Sequence, residues 1–225
     1  MTIDRTKMGT WGDVLTVDLT GDEWVTSDLH LGHHNVITYS GRPFYYCLEM
    51  DETLIHKWNQ VVGPDDTVLI PGDVAFKGTT FKSSMFPRLN GYKVLIKGNH
   101  DAGRESMIKC GFQEAYLMAR GQLWDGRSYI MTHVPMRGQS HKADVMLCGH
   151  VHEKWCFSEP NFYNVGTDQW DFQPQRIKTV LEQARERQAK LPVQNTVSSA
   201  WVERDNRLVN TMYEQFLDKH DKKHR

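Results

Sequence analysis

Five short runs of apolar, β-branched and aromatic residues in this chain stop abruptly at an Asp, Asn or His: EWVTSDLH, TVLIPGD, YKVLIKGNHD, SYIMTHVP and DVMLCGHVH. Runs of this length and composition read as buried strands. Between the first two, MDETLIHKWNQVV repeats Met50, Leu54, Ile55, Trp58, Val61 and Val62 at helical spacing, with Asp51 near its start. That pattern predicts an amphipathic helix packed on a sheet. A second helix is expected over TTFKSSMFPRLN, ended or kinked by Pro87, and a third, short one over GRESMIKCG. Strands separated by helices indicate an α/β sandwich. From Phe112 to Pro135 the order changes to strand, turn, strand, with Asp125-Gly126 as the turn, so an antiparallel hairpin feeds a mixed sheet.

Beyond Trp170 the character shifts. RIKTVLEQARERQAKL sets Ile177, Val180, Leu181 and Ala184 on one face, Pro192 closes that helix, and SAWVERDNRLVNTMYEQFLDK forms a second amphipathic stretch. We divide the chain into a domain over 1–172 and a helical C-terminal extension over 173–225, which docks on the domain or pairs two copies as a homodimer. The 225 residues, 39% hydrophobic and 24% charged with a net charge of −1, suit one core and give no general field for nucleic acid or membrane. No run approaches the roughly 20 apolar residues of a membrane span, and MTIDRTKMGT lacks a signal-peptide core, so the expected location is cytoplasmic. The four cysteines have no C-x-x-C spacing, which argues against a zinc ribbon or a disulfide framework.

The polar stops carry the chemistry, because ligands of α/β sheets bind outside the carboxyl ends of the strands. Singly, each stop has an ordinary explanation. Asp28 and His30 in DLH suit a turn and a surface, Asp73 in PGDV suits a cap, and Asn99, His100 and Asp101 in KGNHD suit a turn that tolerates positive φ. His133 suits a core histidine, while His150 and His152 in GHVH alternate along one face. Together they would require five coincidences at the same end of the strands. Imidazoles, carboxylates and an amide oxygen suit Mn²⁺, Fe, Ni²⁺ or Zn²⁺ better than Ca²⁺ or Mg²⁺.

The ordered series D-x-H, GD, GNHD, H and GH-x-H resembles the calcineurin-like metallophosphoesterase superfamily over residues 23 to 170, and SDLHLGHHNVITYSGRPF is similar to a branch of small bacterial and phage enzymes. The resemblance implies two mixed β-sheets packed as a sandwich between helices, with two divalent ions, Mn²⁺ foremost, in the site. It places Asp28, His30 and His152 on the first metal, Asn99, His133 and His150 on the second, and Asp73 on both. It further implies hydrolysis of a phosphomonoester or phosphodiester by a hydroxide shared between the metals, since two cations lower the pKa of a bound water toward about 7. The family's second acidic residue after GD is missing from GDVAFKG.

Next to Asn99, His100 is placed to protonate the leaving oxygen, with Asp101 either orienting it or serving as a solvated turn residue. Among His33, His34, Asn35 and Arg42, Arg42 and His34 are candidates for holding phosphate with Asn99, against a surface arginine in SGRPF and a helix cap at HHN. Phe44, Tyr45 and Tyr46 either stack on a base or pack in the core, and core packing is the expectation. The substrate expected is a small phosphorylated molecule or nucleotide. A nuclease or nucleic-acid end-processing phosphatase is the alternative, disfavoured by the absence of a basic stripe. A non-catalytic scaffold would be expected to lack some of these ligands.

Overall fold

A computed structural model describes residues 9–11, 14–76 and 78–190. The apolar runs form two facing sheets. A five-stranded sheet contains β3 (Trp24–Val25), β4 (Thr67–Ile70), β5 (Tyr92–Ile96), β6 (Glu114–Tyr116) and β12 (Gln175–Arg176), in the order β12-β3-β4-β5-β6. Within it β3 to β6 run parallel and β12 is antiparallel. The seven-stranded sheet holds β1 (Gly9–Trp11), β2 (Val14–Thr16), β7 (Met118–Gln122), β8 (Ser128–Met131), β9 (Val145–Cys148), β10 (Phe157–Ser158) and β11 (Phe162–Asn164), in the order β1-β2-β7-β8-β9-β11-β10. The antiparallel pairs there are β1 with β2, β7 with β8 and β10 with β11, and the sheet is therefore mixed.

Side chains alternate across a strand, and the burial follows. Val25, Leu69, Val94 and Ile96 face the seven-stranded sheet, where they meet Ala119, Tyr129, Met131, Val145 and Leu147. Val68, Ile70 and Leu95 face the other way, under the helices α1 (His34–Tyr39), α2 (Cys47–Val61), α3 (Thr79–Met85) and α4 (Arg104–Lys109). This explains why β4 and β5 are nearly continuous apolar runs, as strands covered on both faces must be. From α2, Met50, Leu54, Ile55 and Trp58 are buried, and the Trp58 indole donates to the Asn90 carbonyl at 3.0 Å. Finally α5 (Ile177–Lys190) lays Ile177, Val180, Leu181 and Ala184 into the core between the sheets, in contact with β10, β11 and β12. The apolar face of α5 is thus used within the chain.

Several expectations need adjustment. Helix α2 begins at Cys47, so Asp51 lies inside it; its buried carboxylate accepts the Gly32 N–H at 2.9 and 3.1 Å, tying α2 to the loop after His30. Pro87 does end α3, through a 3-10 turn over Phe86–Arg88. The stretch QEAYLMARGQLW is split: β6 belongs to the five-stranded sheet and β7 to the other, and the chain crosses between sheets at Leu117. Strands β1, β2, β10, β11 and β12 lie outside the five apolar runs that predict strands. Tyr45 and Tyr46 are exposed, and only Phe44 packs on the core. The amphipathic stretch from 199 to 219 lies outside the described residues. No helix among the described residues is long and apolar enough to cross a membrane, and Cys110, Cys148 and Cys156 are buried.

Candidate metal centre

Because β3, β4 and β5 run parallel, as do β8 and β9, the five polar stops emerge at the ends of strands in two facing sheets. The loops bind one another through their backbones: the Asp28 N–H donates to the Gly72 carbonyl, His30 to Asp73 and Gly149 to His133, at 2.9 to 3.1 Å. Two groups of side chains result, Asp28 with His30 and His152, and Asp73 with His133 and His150. In each group the candidate ligand atoms lie within 4.8 Å of one another.

Asp73 joins the groups. Its Oδ2 is 3.2 Å from His133 Nε2 and 3.6 Å from His30 Nε2, whereas Asp28 Oδ1 is 4.0 Å from His30 Nε2 and 3.9 Å from His152 Nε2. The Asn99 amide oxygen is 3.0 Å from His133 Nε2, and His150 Nδ1 is 3.3 Å from that same atom. All seven side chains named from the sequence are therefore brought together.

The backbone is strained where they meet. Asp28, His30, Asp73, His150 and His152 all have φ between 47° and 69°. For residues other than glycine this costs about 1–3 kcal/mol each and persists where surrounding structure over-determines it, usually at functional sites. Two glycines make room for the carboxylates. A Cβ on Gly98 would lie 2.2 Å from Asp73 Oδ1, and one on Gly149 would lie 2.4 Å from Asp28 Oδ2. The glycines of GNHD and GHVH are thus required by the close approach of the two aspartates.

Cations fit this donor set. Both ring nitrogens of His30 are buried without a hydrogen-bond partner, a cost of about 1–3 kcal/mol that a bound ion would offset. Burial holds His30 well below the usual histidine range, and burial with the charge of His133 drives His150 to about 3, so both rings are neutral as ligands must be. Burial also opposes charge on His133 and Asp73, but their mutual attraction outweighs it: His133 is lifted to about 10 and Asp73 held below the carboxylate range. A cation between them would replace the shared proton. Asp28 is raised, chiefly by burial.

The remaining ring atoms are fixed from behind. His133 Nδ1 is 2.8 Å from the Pro71 carbonyl, which directs Nε2 to Asp73. His152 Nδ1 faces Asp168 Oδ2 at 3.4 Å and Ser40 Oγ at 3.2 Å. No sequence signal marks Asp168, which stands after a strand of only three residues with no motif around it. Burial works against its charge, but the hydrogen bond to His152 and the guanidinium of Arg42 hold it at about 2.

That contact corrects the expectation for Arg42. Its Nε and Nη2 reach the two oxygens of Asp168 at 2.8 and 2.9 Å, and Nη1 and Nη2 reach the carbonyls of Leu29 and Asp28 at 3.0 and 2.6 Å. It is buried and its donors are engaged, so it braces the His30 loop and does not offer a fork to phosphate. Asp101 also changes role. Its carboxylate accepts the N–H groups of Asp73, Val74 and Gly98 at 2.8 to 3.1 Å, joining two ligand loops and leaving His100 unoriented by it. His34 is exposed on α1 and does not line the cleft beside the site, whereas His33 does, while its Nδ1 caps α1 by accepting the Val36 N–H. His100, its side chain 40% exposed, lines the same cleft with Nε2 4.0 Å from Asp73 Oδ2.

With Asp168→Asn, the Mn²⁺ affinity at the Asp28 group is expected to fall about tenfold to a hundredfold. A two-site calorimetric titration checks this, with the Asp73 group keeping its affinity.

No protein-family model matches the chain. An uncharacterised protein of Methanocaldococcus jannaschii is 28% identical over 168 residues, 71% of this chain and 89% of that one. The gene 66 protein of Mycobacterium phage L5 is 28% identical over 180 residues, 65% of this chain and 86% of that one. A crystal structure of a protein of unknown function from Aquifex aeolicus has a TM-score of 0.55 at 20% identity, covering 68% of this chain and 93% of its own. That likeness shows a shared fold.

Proposed function

We propose that this chain is a phosphoesterase that works with two divalent metal ions. The observation that carries the reading is Asp73: one buried carboxylate within 3.6 Å of a histidine from each of two ligand groups, behind the cleft that His30 and His152 line. Asp28, His30 and His152 would hold one ion, and Asn99, His133 and His150 the other, with Asp73 shared. Mn²⁺ suits these donors best, with Fe, Ni²⁺ or Zn²⁺ as alternatives. What such ions would supply there is charge neutralisation at the phosphoryl oxygens and a bound water whose pKa falls toward about 7.

The protein supplies the rest. Arg42 and Asp168 keep His152 turned toward Asp28, and Asp101 keeps the Asp73 and Asn99 loops in register. The cleft of about 600 Å³ admits a small phosphorylated molecule from the side of His33 and Lys154. His100, at the cleft wall, donates a proton to the departing oxygen. The geometry is the same for a monoester and a diester.

The test is hydrolysis of bis(p-nitrophenyl) phosphate and p-nitrophenyl phosphate by the full chain. Turnover is expected with added Mn²⁺ and is expected to vanish with excess chelator. Hydrolysis that ignores both additions, or no hydrolysis of any phosphoester with any of the four metals, would overturn the reading.

A further inference from the structure

The cleft carries aromatic groups that hydrolysis alone does not require: Tyr39 lines it, and Phe76 packs beside the lining residues His33 and His100. His33 lies 4.1 Å, centroid to centroid, from the ring of Phe76, and Phe76 lies 5.7 Å from His100. Tyr39 continues the strip at 6.5 Å from His33, and His33 is 5.5 Å from His30. The backbone under Phe76 is firmly held, with its N–H donating to the Leu31 carbonyl at 3.0 Å and Ala75 bridged to Leu31. Even so, Phe76 is 53% exposed and Tyr39 is 73% exposed. Two large rings thus stand in water beside His33 and His100, the cleft histidines that flank the proposed ligand His30.

We infer that the ester this cleft takes carries a flat unsaturated ring, such as a nucleobase, joined to its phosphate through a short sugar-like spacer. This rests on the metal-centre reading given above. Flat rings stack on Tyr39 and on the His33–Phe76 pair by dispersion and quadrupole contacts that tolerate any base, since every base has a π face. The polar end lies toward His30, His100 and His152, and Lys154 adds one positive charge for the phosphate. Glu153 and Ser40 on the same walls give hydrogen-bonding groups for sugar hydroxyls or a base edge. A mononucleotide suits this better than a polymer, because the net charge of −1 provides no basic track for a long phosphate backbone.

The experiment compares AMP with ribose 5-phosphate, which differ in the base. Their affinities for the Mn²⁺-loaded full chain are measured by titration calorimetry, alongside the chromogenic hydrolysis assay. AMP is expected to bind about tenfold to a hundredfold tighter, the range for one stacked base. Tyr39→Ala and Phe76→Ala should each shrink that ratio, and Tyr45→Ala, an exposed tyrosine outside the cleft, should leave it alone. Equal affinities in a protein that hydrolyses the chromogenic ester would overturn the ring-bearing substrate and spare the esterase. A ratio insensitive to Tyr39→Ala and Phe76→Ala, or no binding by either ligand, would overturn the aromatic site. Absence of hydrolysis together with tight, Tyr39-dependent AMP binding would keep the site and remove the esterase reading.

Discussion

Asp73→Asn is expected to reduce bound Mn²⁺ from two ions to one or none and to lower kcat/KM by about a thousandfold. In the proposed centre the carboxylate is shared, so both ligand groups would lose their one common negative charge. Metal stabilisation of a phosphoryl transition state is worth several kcal/mol, and each 1.36 kcal/mol is a factor of ten. The substitution is nearly isosteric. Asn can still offer an amide oxygen where Oδ1 now accepts the His100 N–H at 2.9 Å. The loop therefore has no steric reason to move, and a thermal melt should show a folded protein. Equilibrium dialysis with elemental analysis counts the ions. Two ions retained, with turnover intact, would mean that Asp73 is not shared.

The second large effect is expected at His100. His100→Ala should keep two Mn²⁺ ions yet lose about 10² to 10⁴ in kcat on alkyl phosphoesters, whose leaving oxygen needs a proton. On p-nitrophenyl esters the loss should be far smaller, because nitrophenolate departs without one. The contrast between leaving groups separates a proton donor from a side chain that merely supports the site, since the backbone N–H that His100 gives Asp73 is kept in the variant. Equal losses on both kinds of ester would assign His100 to support.

What the sequence made legible follows from the kind of signal each element carries. The strands β3, β4, β5, β8 and β9 are apolar runs with abrupt polar ends, and both halves of that signal are local, so strands and metal-ligand candidates were read together. Helix α5 was readable from Ile177, Val180, Leu181 and Ala184, because the face it buries is written in its own period. The two-residue strands β10 and β12 carry no period at all. The split of QEAYLMARGQLW between two sheets was hidden for a related reason: Ala115 and Ala119 are alike in sequence, and only the crossing at Leu117 separates them.

The supporting residues were the least legible. Arg42 and Asp168 are 126 positions apart, and nothing near either one announces burial. In SGRPF an arginine reads as a surface residue or phosphate fork, and only tertiary packing shows its donors fully used. Asp101 was noticed as the neighbour of His100, yet its partners are backbone N–H groups, one of them on its own loop and two on the loop of Asp73. Left-handed backbone at Asp28, His30, Asp73, His150 and His152 is also hard to read, since Asp and His enter that region more often than most residues but do not mark it as glycine would.

The pairing of two ions on one aspartate is tested most directly by anomalous diffraction at the manganese edge from crystals grown with Mn²⁺. Two peaks are expected, one among Asp28, His30 and His152 and one among Asn99, His133 and His150, with the Asp73 carboxylate between them. A single peak remote from Asp73, or none from a protein that still hydrolyses phosphoesters, would contradict the account.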